Sequence, residues 1–247
     1  MSAFGPLAAH FLDASRGLAC PTALTTYASA LPCEGLLLDA MCGTGRILVP
    51  WVRRGAKVHG VDASAAMLAV CAAHLAGTAD EVPLFRQDIA ALNLPFRYAG
   101  AFVAGSALQF LTDPAAVQTA LARLHAHLLT PGVLLVEFEI PPIARQNLAA
   151  PLVEISTTQL ADGSRITLRS ESTWTPEAKL SRSERRYTQR RGAQRIGEEH
   201  EVVRATWYEP GEAVALVAAA GFVADVGASK VDDDGTIVFT VVARRTA

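Results

Sequence analysis

No two cysteines in this sequence stand at metal-ligand spacing. Cys20, Cys33, Cys42 and Cys71 form no CxxC pair, so a zinc ribbon or a thioredoxin-type redox motif is excluded. No metal is expected, and so few scattered thiols fit a reduced, cytoplasmic protein. Neither charge dominates. Lys and Arg number 22 against 24 for Asp and Glu, a net charge of −2, which argues against nucleic acid as a partner. Every alanine-rich apolar stretch is broken by charges or turn residues before it could span a bilayer. The N-terminus shows no basic segment followed by an apolar run, so neither a signal peptide nor a membrane partner is expected. What is abundant is apolar side chain: 51% of 247 residues, enough for one large core or one domain with an embellishment.

The chain divides by periodicity. Residues 1–34 read as two cap helices, with Phe4, Leu7, Ala8 and Phe11 on one face and Leu24, Tyr27 and Leu31 on another. From residue 35 to 140, short apolar strands alternate with helices. Strands are expected at 35–39, 57–62, 83–87, 101–104 and 133–139, with helices at 45–54, 65–75 and 114–129 and a turn at Pro131-Gly132. This rhythm predicts an α/β, Rossmann-like, mainly parallel sheet covered on both faces. After Pro141-Pro142 the period changes to alternation, and 141–207 is expected to be an inserted antiparallel β-sheet. Its turns fall at Asp162-Gly163, Thr175-Pro176 and Arg191-Gly192. Residues 208–247 return to the core as a helix ended by Gly221 and a terminal antiparallel hairpin around Asp234-Gly235, completing a seven-stranded sheet.

The stretch LLLDAMCGTGR, residues 36–46, raises the functional question. An apolar strand ends in Asp39, and Gly43 and Gly45 follow. A dinucleotide fingerprint needs a third glycine where Leu48 stands, and a P-loop needs a Gly-Lys-Ser/Thr that is absent. An acid before the glycines repels a diphosphate and attracts a cation. Asp62 ends the second strand, where a carboxylate can accept both ribose hydroxyls. Asp88 follows the third strand and suits an adenine amino group. Each acid alone can be a helix or turn cap; three at successive strand ends point to one bound ligand.

These segments resemble the class I S-adenosylmethionine-dependent methyltransferases of small-molecule type. LLLDAMCGTGR is similar to their first motif, VHGVDASAAML to the second, FRQDIAALNLPF to the segment after the third strand, and AFVAGSALQFL and LHAHLLTPGVLLVEF to those that follow. The resemblance covers 35–140 strongly, and WYEPGEAVALVAAAGF and the final hairpin more weakly. It implies S-adenosyl-L-methionine as cofactor. Asp39, Met41, Cys42, Gly43, Gly45 and Arg46 would surround the methionine portion. Asp62 would take the ribose, Ala63 and Met67 would lie near the adenine, Asp88 and Ile89 would hold its edge and face, and Ser106 and Ala107 would line the far side of the sulfur. Met41 replaces the first glycine of the family pattern, so its side chain must avoid the cofactor or narrow the pocket. Cys42 reads as a small buried apolar residue rather than a nucleophile.

Methyl transfer from a sulfonium is an in-line displacement that needs alignment and desolvation more than strong acid–base groups. The acceptor is expected over the carboxyl ends of the fourth and fifth strands, walled by the cap helices, Gln109, Phe110, Glu139 and the inserted sheet. That sheet would act as an acceptor lid or a subunit contact, the latter giving a possible homodimer. GSALQF stands where relatives that methylate nucleobase or glutamine amides carry Asn/Asp-Pro-Pro-Tyr/Phe, which favours a nitrogen or oxygen of a small metabolite. On EEHEVVRATWY, His200 is the candidate base and Arg204 the candidate anchor for a substrate carboxylate. Both also fit a solvated strand face. His10 and Asp13 either close over the cofactor or lie on the surface. Arg182, Arg185, Arg186, Arg190 and Arg191, around Tyr187, form a basic ribbon that keeps an RNA acceptor open as an alternative. A protein acceptor, or a non-catalytic cofactor-binding module, is the other.

Overall fold

The computed structural model describes residues 4–78, 81–144 and 151–246. Residues 145–150, part of the expected insertion, and residues 1–3 of the expected cap lie outside them. The chain begins with helices α1 (Pro6–Arg16) and α2 (Pro21–Ala30). Both have proline in the first turn, where the missing N–H costs nothing. The alternating units are β1 (Leu37–Ala40), α3 (Leu48–Val52), β2 (Val58–Asp62), α4 (Ala65–Leu75), β3 (Leu84–Arg86), β4 (Tyr98–Val103), α5 (Pro114–His127) and β5 (Leu128–Ile140). Four antiparallel strands follow: β6 (Leu152–Gln159), β7 (Arg165–Thr175), β8 (Leu180–Arg191) and β9 (Gln194–Thr206). Helix α6 (Pro210–Ala218) and the hairpin β10 (Val223–Val231) and β11 (Ile237–Arg245) complete the chain.

The larger sheet has seven strands in the order β10-β11-β5-β4-β1-β2-β3. β1 to β5 are parallel, and β11 runs antiparallel to both β5 and β10. The Rossmann-like reading of the sequence is the observed fold. All four residues of β1 are buried, as expected for a central parallel strand with helices on both faces. β1 pairs with β2 on one side and β4 on the other. The chain thus reverses its direction of travel across the sheet beside β1, and the crevice at the strands' carboxyl ends is where such sheets bind ligands.

Two expected boundaries change. The turn expected at Pro131-Gly132 is an irregularity inside β5: the strand runs from Leu128 to Ile140, and its register against β4 shifts between the pairs Tyr98–Leu128 and Gly100–Val133, a span that holds both residues. β4 starts at Tyr98 rather than Ala101, because the fully buried Tyr98 ring belongs to the core.

The second sheet, in the order β6-β7-β8-β9, is antiparallel throughout. Its inner face buries Ile166 and Tyr187 against Ala8 and Phe11 of α1, with the Phe11 and Tyr187 rings 5.7 Å apart and edge-on. Burying an aromatic of this size contributes about 1.5–3 kcal/mol. Glu199 of β9 accepts the Leu7 and Ala8 amides at 2.9 and 3.2 Å, capping α1 from a distant strand. α1 also rests on α4: Ser64 Oγ donates to Phe4 O at 2.6 Å, and His74 Nε2 lies 2.7 Å from Asp13 Oδ1. The first helix therefore bridges the two sheets. A second tie is Gln109, whose Nε2 donates to Glu139 O and to Thr206 O at 3.0 and 2.6 Å. It holds the end of β9 against the carboxyl end of β5.

Candidate active site

A cleft opens at the carboxyl ends of β1, β2 and β4 under the roof of α1. Its floor is the turn after β1. Met41, Gly43 and Gly45 all adopt positive φ, at 66°, 54° and 85°. Gly43 faces open space, and a Cβ there would meet nothing within 4 Å. Gly45 faces inward, and a Cβ would stand 2.6 Å from Cys71 Sγ and 2.8 Å from Val49 Cγ2. One glycine bares backbone to the cleft, and the other lets the turn pack on α4.

Asp39 lines this cleft, is 1% exposed, and has an Oδ1 without a hydrogen-bond partner. Burial, reinforced by Cys71 and Asp62 nearby, pushes its carboxyl well above the ordinary range, while the Leu48 amide pulls the other way. A buried acceptor with nothing to accept suits a cationic ligand. Asp62 lines the next wall. Its Oδ2 accepts the Gly43 amide at 2.9 Å and its Oδ1 the Ser64 amide at 2.8 Å. Burial raises its carboxyl too, opposed by these backbone donors.

Of the remaining expected residues, Met41, Cys42, Arg46, Ala63, Met67, Ile89 and Ala107 line the cleft. Contact with the Cys71 thiol, and then burial, push the Cys42 thiol well up, the condition of an inert thiol rather than a nucleophile. Gly45, Asp88 and Ser106 stand one layer back. Asp88 lies between the lining residues Gln87 and Ile89, and its Oδ1 accepts the Ala90 amide at 2.9 Å. Ser106 is buried in left-handed backbone and donates to Glu139 Oε2 at 3.1 Å.

His200 and Arg204 are not brought to the cleft. Alternation along β9 puts Glu199, Glu201, Ala205 and Trp207 inward and leaves His200 and Arg204 exposed on the outer face. Their assignment as base and anchor is withdrawn: a strand shows one face per parity, and theirs is the wet one. The same alternation splits the arginine ribbon. Arg185 turns to the cleft beside buried Tyr187, whereas Arg186 is exposed and Arg191 pairs with Asp162 at 2.7 Å. The ribbon is not one surface: Arg182, Arg186 and Arg190 keep the parity opposite to that of Arg185. His10 is exposed, and Asp13 is engaged with His74.

Sequence reasoning missed Phe4, Leu12 and Arg16 of the roof. Only the apolar face of α1 hinted at them, because the helix's place over the cleft depends on Glu199, far along the chain. Arg16 and Glu139 are reachable by water yet ringed by protein. Burial lowers the guanidinium of Arg16 and raises the carboxyl of Glu139, and each group's opposite charge counters the other's shift. Among the described residues, no group of three or more candidate metal ligands occurs and no helix is long and apolar enough to cross a membrane.

A family model described as a methyltransferase domain matches residues 37–132, the span of the strand-end acids. Solved structures match nearly the whole chain. CalS10 of Micromonospora echinaspora, an amino pentose methyltransferase solved with S-adenosylmethionine bound, is 27% identical, with 94% of this chain and 93% of that one covered and a TM-score of 0.69. A methyltransferase of Clostridium acetobutylicum is 16% identical over 97% and 98%, with a TM-score of 0.74. CcbJ of Streptomyces caelestis is 21% identical over 98% of each chain, with a TM-score of 0.70. No curated protein matches. Fold, cleft and likeness together define a Rossmann-like methyltransferase. Residues 37–132 are a methyltransferase domain, and the chain is an S-adenosylmethionine-dependent methyltransferase.

Proposed function

We propose that the enzyme methylates a nitrogen or oxygen of a small metabolite enclosed between α1, the end of β5 and the inserted sheet. The observation that carries this reading is the buried Asp39 carboxylate, with one oxygen unpartnered, in a cleft whose floor is a bare glycine turn and whose roof is a helix clamped at both ends. A roofed cleft suits a small acceptor, whereas a polymer needs an open groove. The likeness to CalS10, an amino pentose methyltransferase, supports a small acceptor that bears an amine.

Asp39 and the backbone from Cys42 to Arg46 hold the amino-acid end of S-adenosylmethionine, and the Asp39 charge matches its ammonium. Asp62 accepts the ribose hydroxyls through lone pairs not used by Gly43 and Ser64. Ala63, Met67 and Ile89 flank the adenine, with Asp88 and Ser106 as supports behind the wall. The bound cofactor supplies an electrophilic methyl on a sulfonium. The protein's part is to hold acceptor and methyl in line and to exclude water. An ammonium acceptor must first lose its proton. Glu139, with its carboxyl raised by burial and one oxygen engaged by Ser106 Oγ, is suited to take it. The apolar Leu152, Val153 and Ile155, exposed on edge strand β6, support a homodimer that covers that edge; sedimentation measures it.

The test of the whole reading is calorimetry with S-adenosylhomocysteine, followed by transfer of labelled methyl to a panel of amines and alcohols. No binding of the product sinks the cofactor site. Binding with transfer only to RNA or protein sinks the acceptor reading.

A further inference from the structure

Arg185 is the inserted sheet's contribution to the lining of the cleft among the described residues, and its Nε is buried without a hydrogen-bond partner. Its nearest acid does not satisfy it: Arg185 Nη1 is 3.9 Å from Glu201 Oε1, beyond hydrogen-bond range. That carboxylate is engaged elsewhere, since the Tyr187 hydroxyl donates to Glu201 Oε1 at 2.9 Å. Tyr187 and Glu201 are both buried and lie against the guanidinium, while Arg185 also lines the cleft. Arg16 and Arg46 line the same cleft, and the charges of Arg46 and Arg185 act against that of Arg16. These three cations share the cavity with Asp39 and Asp62, and the unused buried donor of Arg185 marks its own corner as a site for an anion.

Which anion meets Arg185 follows from where the arginines come from. Arg46 follows the glycine turn, and Arg16 ends α1, whose connection onward is tied to that turn by the Ala19 amide donating to Arg46 O at 2.9 Å. These two belong to the methionine end. Arg185 comes from the element that walls the acceptor. We propose that Arg185 anchors an anionic group, a carboxylate or a phosphate ester, carried by the acceptor, so that the substrate is a small amine or alcohol bearing a negative charge at its far end. This rests on the small-metabolite reading above. Tyr187 and Glu201 are positioning residues for that anchor.

The full-length protein saturated with S-adenosylhomocysteine is titrated with methyl phosphate, acetate and inorganic phosphate. Binding of the homocysteine product by the wild type is read first, because its failure removes the cofactor site and not this proposal alone. Methyl phosphate or acetate is expected to bind the wild type and to bind Arg185→Gln about tenfold or more weakly, whichever of the two it is naming the acceptor's anion. Arg186→Gln, an exposed neighbour on the other face, is expected to leave that binding unchanged. Arg185→Gln is expected to keep product affinity within about twofold, since a charge-assisted contact to the cofactor's own carboxylate would cost about tenfold or more. Such a loss would reassign Arg185 to the cofactor and overturn the proposal. So would the absence of binding by either organic anion, binding indifferent to Arg185, or binding of inorganic phosphate alone. Should Arg185→Gln not fold, Arg185→Lys is read instead: it keeps the charge and loses the fork, and unchanged anion affinity there overturns the proposal equally.

Discussion

Asp62 Oδ2 accepts the Gly43 amide at 2.9 Å, so the acid that ends the second strand holds the turn that follows the first. One carboxylate shapes the floor of the cleft and faces the ligand on it. Asp62→Ala removes both roles. S-adenosylmethionine affinity should fall by roughly 10- to 150-fold, the equivalent of about 1.5–3 kcal/mol for a charge-assisted bond. Asp62→Asn keeps an acceptor oxygen for one amide and should lose less. Calorimetry on both variants measures it, and equal affinity in Asp62→Ala and wild type removes Asp62 from the site.

Asp39 makes stability and binding oppose each other. Its carboxyl is raised in the folded protein by burial. The native state therefore holds a proton at pH values where the unfolded chain has lost it. The resulting stability is fully present below the ordinary carboxylate range and is lost as pH rises through the raised folded value. At pH 8, Asp39→Asn should raise the Tm of the ligand-free protein by roughly 2–8 °C, as relief of about 1–2 kcal/mol from a buried unpaired acceptor predicts. Below about pH 4 the two proteins should converge. Cofactor affinity should move the other way, rising with pH in the wild type and staying low in the variant. A less stable Asp39→Asn at pH 8 contradicts the argument.

Gly43 and Gly45 separate backbone strain from collision. Gly43→Ala meets nothing and should cost about 1–2 kcal/mol from left-handed backbone alone. Gly45→Ala adds overlap with Cys71 Sγ and Val49 Cγ2 and should cost about 2–5 kcal/mol in all. Urea midpoints of the two variants give the order, and adding Cys71→Gly to Gly45→Ala should recover part of the collision. Gly43→Ala should still weaken the cofactor, because its new methyl projects into the cleft.

Glu199 caps a helix almost two hundred residues away in sequence. Glu199→Ala should destabilise α1 by about 0.5–2 kcal/mol. Hydrogen exchange at residues 7–16 should quicken while β1 and β4 stay protected. Cofactor affinity should drop with it, since Phe4, Leu12 and Arg16 are carried by that helix. Unchanged exchange in α1 would show that the clamp does not hold the roof.

The sequence by itself determined the parts of this protein that rest on local rules. Apolar runs set between glycine and proline punctuation locate β1, β2 and α4 to within a residue or two, and Asp39, Gly43 and Asp62 are legible because strand-end acids around a glycine turn are spaced along a short stretch of chain. Alternation also identified the second sheet, but it is symmetric between faces. Nothing in EEHEVVRATWY says whether His200 or Glu201 looks inward, and β9 was read on the wrong parity for the site. Only the tertiary structure decided that, because the choice is made by what packs against the strand: Ala8 and Phe11 of α1 bury Tyr187 on β8, and its partner strand must follow. The same packing turns Arg185 into the cleft and its neighbour Arg186 to water. A contact between residues 7 and 199 leaves no trace in local pattern, since its energy is realised only once the sheets are assembled.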